Sequence, residues 1–139
     1  MRILFIMTCL LASACSSESL PPLVATDLEI SAPLPGQSMS AGYLALSNNT
    51  GDAIRITSVS SRQFGKVEMH ESVVEDGVAK MRRIPSLLIS AKSTVRFKRG
   101  GKHLMLMRRK QQTDLIALNF YDGDTLLLTV QAPVIPRNN

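Results

Sequence analysis

From Leu23 onward the sequence is a succession of short runs in which apolar and polar residues alternate, and turn-forming residues end each run. Ala53–Val59 and Leu115–Tyr121 show the pattern clearly. Alternation with a period of two predicts half-buried β-strands, because successive side chains of a strand point to opposite faces. No longer run in this part has helical periodicity. About eight or nine short strands with turns at this spacing predict a single-domain, all-β antiparallel β-sandwich.

One hairpin can be placed in register from the sequence. Asp76-Gly77 separates two alternating runs and is a preferred pair for a type I′ turn. A two-residue loop at this point puts Ser72 opposite Met81. His70 shares a face with Ser72, so Met81 becomes a diagonal neighbour of His70, with Cβ atoms about 7–8 Å apart. The hairpin therefore predicts that an imidazole and a thioether converge on one face.

A second pair of soft donors follows after a glycine pair, Gly100–Gly101. His103 and Met105 are two residues apart, so a strand projects both to one face, while Leu104 and Leu106 turn to the other face and supply the core. The glycines allow a sharp turn or a close backbone approach, and we expect them to expose His103 at a sheet edge.

The chain has seven methionines, and most methionines in proteins only fill space in a core. Met69 alternates out of the His70 face and is assigned to the core. Met107 continues the row of Met105, and its role is left open between a spare ligand and packing. Met39 stands alone in the sequence, and Met1 and Met7 precede the domain.

Two imidazoles and two thioethers make a soft, uncharged donor set, for which copper(I) is the first candidate metal. His70, Met81, His103 and Met105 are the predicted ligands. Their spacing, H-x10-M-x21-H-x-M, is the signature of the PCu(A)C family of periplasmic copper(I) chaperones. Ala41–Leu44 and Gly100–Met107 are also similar to that family. The sequence is accordingly identified as resembling a PCu(A)C protein.

The resemblance implies a cupredoxin-like β-sandwich that binds one Cu(I) ion at the four residues and acts as a monomer. It also implies delivery of copper toward the binuclear copper site of cytochrome c oxidase, to an oxidase subunit or a Sco-type protein. Two features differ from the family. Arg108–Asp114 is basic where a leucine-rich loop is expected, and the sequence ends without a His/Met-rich extension.

The N-terminal residues have the layout of an export signal. Residues 1–14 contain a short apolar run, and Leu11–Cys15 resembles a lipobox, which would make Cys15 a lipid anchor. Residues 15–22 are then a tether and residues 23–139 the copper-binding domain, so the protein is expected to be a periplasmic lipoprotein. Ala12–Ala14 also fits an ordinary cleavage site, which would give a soluble periplasmic protein.

Other functions are less well supported by the composition. The net charge is +5, but an exported chain with no tryptophan and few aromatic residues is a poor candidate for binding nucleic acid. The domain has no cysteine after Cys15 and no convincing Ser-His-Asp set, so no enzyme is expected. Two alternatives to a copper chaperone stay open: a protein that sequesters copper in the envelope, and a β-sandwich interaction lipoprotein that binds no metal.

Overall fold

The alternating runs form β-strands in the computed structural model of this protein, which describes residues 20–136. The export signal and Cys15 lie outside the described residues. No helix between residues 20 and 136 is long and apolar enough to cross a membrane. The described strands are β1 Leu23–Ser31, β2 Ser40–Asn48, β3 Ile54–Ile56, β4 Ser58–Ser60, β5 Phe64–Glu75, β6 Val78–Arg83, β7 Leu87–Ile89, β8 Thr94–Phe97, β9 Lys102–Arg109, β10 Leu115–Asp122 and β11 Thr125–Ile135.

Seven of these strands form a ring of hydrogen-bonded neighbours in the order β1, β11, β10, β4, β5, β9, β2, and β2 returns to β1. The strand β6 extends from β5, and β8 pairs with β2, whereas β3 and β7 form a separate two-stranded sheet. Ring closure protects strand edges from pairing with other chains. The predicted all-β, cupredoxin-like β-sandwich is confirmed, with one parallel pair, β1 and β11, among otherwise antiparallel neighbours in the described residues.

The run Ala53–Val59, expected as one strand, is divided into β3 and β4. Thr57 lies between the two strands, and its backbone N–H donates to the carbonyl of Tyr121 at 2.8 Å. On either side of Thr57 the chain changes partners, because β3 pairs with β7 and β4 pairs with β10 and β5. Alternation alone does not reveal such a change of sheet.

The last strand, β11, runs from Thr125 to Ile135 and contains Pro133. The N–H of Val134 donates to the carbonyl of Asp114 on the β10 side at 2.8 Å. The nitrogen of Pro133 therefore points to the opposite side, where the pairing with β1 begins only at Val134. Since no ladder bond is required of it there, proline is tolerated in this strand.

The expected tether ends in contact with the domain. Asn49 donates its backbone N–H to the carbonyl of Pro22 and its side-chain Nδ2 to the carbonyl of Pro21, both at 2.9 Å. The strand β1 begins at the next residue, Leu23. The boundaries of signal, tether and domain stay a prediction.

The core is formed by the inward faces of the ring and by β3 and β7. On β9, Leu104 and Leu106 are completely buried, as the alternation predicted. The other completely buried hydrophobic side chains are Leu46, Ile56, Ile89, Ile116, Leu118, Phe120 and Ala132.

The close approach of β2 to β9 depends on Gly42, which pairs with Leu104. A Cβ atom built on Gly42 would lie 3.0 Å from Cδ1 of Ile30, 3.2 Å from Cβ of Leu104 and 3.2 Å from Cδ1 of Leu106. All three neighbours belong to the packed core, so there is little room for them to move.

We expect Gly42→Ala to lower the free energy of unfolding by about 1–3 kcal/mol, the usual cost of forcing an extra carbon into a packed core. Urea unfolding of the domain measures the change. Gly51→Ala is the matched control, because a Cβ atom at Gly51 meets no atom within 4 Å. Equal stabilities of the two variants would contradict the close approach.

Candidate metal centre

Three of the four predicted ligands line one open cleft on the face of β9 that points away from the core. Met81, His103 and Met105 contribute to this cleft, whose volume is about 340 Å³. Its remaining lining residues are Gln37, Met39, Ser40, Ala41, Tyr43, Ser72 and Gly100. Residues far apart in the sequence thus supply soft donors to one place.

Met81 reaches the cleft because the β5–β6 hairpin has the predicted register. Asp76 and Gly77 both have positive φ, 52° and 76°, as a type I′ turn requires. Ser72 pairs with Met81, and His70 pairs with Arg83. The predicted diagonal relation of Met81 to His70 is confirmed. Met81 is 54% exposed, since every residue of β6 is exposed.

The fourth predicted ligand, His70, does not line the cleft but lies directly beside His103. The two histidines are paired across β5 and β9, their ring centroids are 6.0 Å apart, and the ring planes meet at 62°. The next pair on this face joins Glu68 to Met105. The pairing of β5 with β9 therefore brings both imidazoles together, as a single four-ligand site requires; that they are direct cross-strand partners was not predicted.

The expectation that His103 is exposed at a sheet edge is wrong. The strand β9 lies between β5 and β2, and His103 is only 6% exposed. The glycine pair serves the turn that precedes β9. Gly100 has φ of 73°, and the N–H of Gly101 donates to the carbonyl of Lys98 at 3.1 Å. The glycines are needed for this turn, and they do not expose the histidine, which is paired with His70 of β5.

Hydrogen bonding determines which nitrogen of His103 is available to a metal. Nδ1 lies 3.0 Å from the carbonyl oxygen of Gly101, which can only accept, so Nδ1 carries the proton. The same carbonyl accepts the backbone N–H of Ser72 at 3.1 Å, which fixes its position. Nε2 of His103 is left with a free lone pair. A backbone carbonyl that orients an imidazole in this way is a common support for a metal ligand.

His70 has the opposite arrangement. Its Nε2 lies 3.0 Å from Oε2 of Glu68, and an ionised carboxylate only accepts, so Nε2 carries the proton. Nδ1 of His70 is buried and has no hydrogen-bond partner among the described residues. A buried polar atom without a partner costs free energy. A metal bond at Nδ1 would satisfy this lone pair, so the orphaned nitrogen fits a metal ligand.

Glu68 is held in its ionised form by neighbouring positive charges. Lys66 Nζ lies 2.8 Å from Oε1, and Arg83 Nε lies 3.2 Å from the same oxygen. The hydrogen bond from Lys66 and then that from His70 hold the pKa of Glu68 below its usual value, and the charge of Arg83 adds to this effect. Because Glu68 stays an acceptor at neutral pH, it keeps the proton of His70 on Nε2.

The other described methionines, Met39, Met69 and Met107, occupy three different environments. Met69 is 3% exposed and belongs to the core, as predicted. Met107 pairs with Lys66, is partly buried and does not line the cleft. Met39 stands alone in the sequence, but in the fold it lines the cleft with three predicted ligands and is 45% exposed.

Sequence reasoning missed Glu68 and Met39 for different reasons. Glu68 is two residues before His70, so strand alternation could have placed both on one face. Met39 precedes β2, and it comes close only because Ala41 pairs with Met105 of β9. That long-range pairing has no local signal.

The donor set is thus two imidazole nitrogens with free lone pairs and two thioether sulfurs, and it carries no formal charge. In residues 20–136, no group of three or more His, Cys, Asp or Glu side chains is arranged to hold a metal ion. The role of the four residues as ligands stays a prediction.

Comparison with known protein families shows which family this chain belongs to. Residues 23–134 match the family described as "Putative lipoprotein LpqE-like". The chain belongs to the LpqE-like family. A relative from Rickettsia prowazekii, named "Uncharacterized protein RP573", is 36% identical over 105 residues, which cover 73% of this chain and 58% of the relative. "Putative lipoprotein Lxx21020" from Leifsonia xyli subsp. xyli is 28% identical over 96 residues, covering 65% of this chain and 58% of the relative.

The match spans only 58% of the length of each of these two curated relatives.

Solved structures show the same fold as this LpqE-like chain. The copper-bound PCuAC domain from PmoF2 is 18% identical with a TM-score of 0.68, covering 84% of this chain and 94% of that domain. The Cu(I) form of DR1885 from Deinococcus radiodurans is 24% identical with a TM-score of 0.65, covering 88% and 84% respectively. The resemblance to the PCu(A)C family is therefore confirmed at the level of the fold.

The hydrogen bonds of the two histidines predict opposite tautomers in the metal-free protein. We expect His70 to carry its proton on Nε2 and His103 on Nδ1 at neutral pH, because each nitrogen faces an oxygen that only accepts. Long-range ¹H–¹⁵N correlation spectra of the imidazoles distinguish the tautomers. Glu68→Leu should release His70 into a mixture of tautomers and leave His103 unchanged. A proton on Nδ1 of His70 in the unmodified protein would contradict the assignment.

Proposed function

We propose that this protein is a copper(I) carrier of the bacterial envelope that holds one Cu(I) ion with His70, Met81, His103 and Met105. The observation that carries the proposal is the pair of histidines, each with one nitrogen engaged by an acceptor and the other free. His103 lines one cleft with Met81 and Met105, and His70 is paired with His103 across β5 and β9.

The chemistry of the donors favours copper(I) over other metals. Thioether sulfur is a soft ligand that suits Cu(I), whereas Mg²⁺, Ca²⁺ and Mn²⁺ prefer oxygen. Neutral imidazole is compatible with Cu(I) as well. Blue-copper electron-transfer sites require a cysteine thiolate, and none of the four donors is a cysteine. The site is therefore proposed to carry copper as cargo, with no catalytic or electron-transfer role.

The comparisons support the proposal without deciding it. Two of the solved structures with this fold are the copper-bound PCuAC domain from PmoF2 and the Cu(I) form of DR1885. Those statements concern the neighbouring proteins. For this chain, the support lies in the spacing of its own donors and in their arrangement around the cleft.

The arrangement also suits release of the metal. His103 and Met105 lie on an interior strand, but Met81 is on the exposed strand β6 and opens the site to solvent. An acceptor protein can approach from the side of Met81 and offer its own soft ligands. A carrier needs such access, since a metal enclosed on every side would leave only after local unfolding.

An anaerobic titration with a chromophoric Cu(I) chelator tests binding. We expect one equivalent of Cu(I) to bind, and His70→Ala and Met105→Leu each to weaken the affinity by more than about 100-fold, since they remove ligands rather than outer-shell partners. Met69→Leu is the matched control, because Met69 is buried on the opposite face of β5. Absence of binding by the unmodified protein would leave the interaction-lipoprotein alternative.

Delivery is tested separately. We propose that the acceptor is a cytochrome c oxidase subunit or a Sco-type protein, in line with the sequence resemblance. The copper-loaded protein should metallate the purified acceptor domain faster than the same concentration of Cu(I) held by a small chelator of equal affinity. Equal rates would count against a dedicated carrier and favour sequestration.

Membrane attachment is proposed through Cys15, which lies outside the described residues. The support is the lipobox-like sequence before it and the word lipoprotein in the descriptions of the family and of the Leifsonia relative. A lipid anchor would hold the domain within the periplasm. Residues 15–22 would then connect the anchor to β1.

A further inference from the structure

Among the described residues, Met39 is the one methionine that lines the cleft without belonging to the four-ligand arrangement. It immediately precedes β2, at the end of the segment that connects β1 to β2. The pairing of Ala41 with Met105 brings this end of β2 beside the predicted ligand Met105 on β9. Met39 is 45% exposed, so its side chain is accessible from solvent at the cleft.

The soft donors of the cleft divide by exposure. His103 is 6% exposed and stands on β9, which has hydrogen-bonded neighbours on both sides, and Met105 is partly buried on the same strand. Met81 and Met39 are 54% and 45% exposed and lie on β6 and on the connection before β2. The two exposed thioethers belong to separate segments, which line the same cleft as the inner donors.

We propose that Met39 is an alternative copper(I) ligand that takes the place of Met81 when Met81 leaves the metal. This inference rests on the proposed function. His70, His103 and Met105 hold the ion throughout, and the outer position is filled by either of two thioethers. The protein thereby keeps the ion coordinated while the exposed strand β6 is open to an acceptor.

The exchange balances without any co-reactant. One Cu–S bond, to Sδ of Met81, breaks as another, to Sδ of Met39, forms. Both ligands are neutral thioethers, so the ion stays Cu(I), and neither a proton nor an electron is transferred. Methionine is suited to this step because its long, flexible side chain can reach a metal from more than one backbone position.

A double-mutant cycle tests the exchange on the full domain. Cu(I) affinity is measured by anaerobic competition with bathocuproine disulfonate for the unmodified protein, Met39→Leu, Met81→Leu and the double variant. If Met39 binds the ion only when Met81 leaves it, Met39→Leu alone should lower the Cu(I) affinity by less than about threefold. The Cu(I) affinity of the double variant should be lower by about tenfold or more than the product of the two single losses predicts. A coupling of this size is within the range measured for residues in direct contact.

Sulfur coordination provides a second readout. X-ray absorption of the Cu(I)-loaded proteins should show as many sulfur ligands in Met81→Leu as in the unmodified protein, and one fewer in the double variant. If Met39 has only a structural role, Met81→Leu should already have one sulfur ligand fewer than the unmodified protein. Met69→Leu combined with Met81→Leu is the control cycle, and its losses should multiply without excess.

The outcomes separate the two proposals. If the unmodified protein binds one Cu(I) and the Met39–Met81 losses simply multiply, the alternative ligand is wrong and the carrier function stands. If the unmodified protein binds no Cu(I), both proposals fall. Thermal unfolding of each variant shows whether it is folded. If Met39→Leu proves unfolded, Met39→Gln, which removes the sulfur at similar length, takes its place in the cycle.

Discussion

The antiparallel pairing of β5 with β9 is the interaction on which the rest of the structure depends. It sets His70 against His103 and Glu68 against Met105 on one face, while Met69 and Leu104 meet on the other. Because the side-chain period of a strand is two, a one-residue slip would turn the leucines of β9 to the cleft and its donors into the core. The complete burial of Leu104 and Leu106 therefore secures the register that positions the donors.

Around this pairing, the candidate site combines a fixed inner part with an accessible outer part. The inner histidines are oriented by a carboxylate and by a backbone carbonyl, which hold their protons away from the free nitrogens. The outer thioethers lie on exposed segments and have no comparable restraint. Tight binding and ready release make opposite demands on a site, and separate parts of the same cleft can meet them. This division follows from strand position, since β9 is one of the strands of the ring and β6 lies off the ring, paired with β5.

Local patterns in the sequence predicted the structure correctly where it depends only on residues close to one another in the chain. The Asp76-Gly77 turn fixed the hairpin register, and alternation assigned Met69 to the core. The same patterns failed where partners changed or lay far away. Thr57 interrupts an unbroken alternation because β3 and β4, on either side of it, pair with different strands. His103 is only 6% exposed, on a strand that lies between β5 and β2. Neither effect has a signature within a few residues of the position concerned.

The sequence by itself determined the strand-based fold, the type of donor in the proposed metal site and the face on which each donor of β5, β6 and β9 lies. These properties depend on side-chain chemistry and on a period of two, both of which are local. The tertiary structure alone decided which strands become neighbours. It therefore decided that the two histidines are paired, that Glu68 and Gly101 set their tautomers, and that Met39 joins the cleft. Strand neighbours are chosen by burial of a common core, and that choice involves residues throughout the chain.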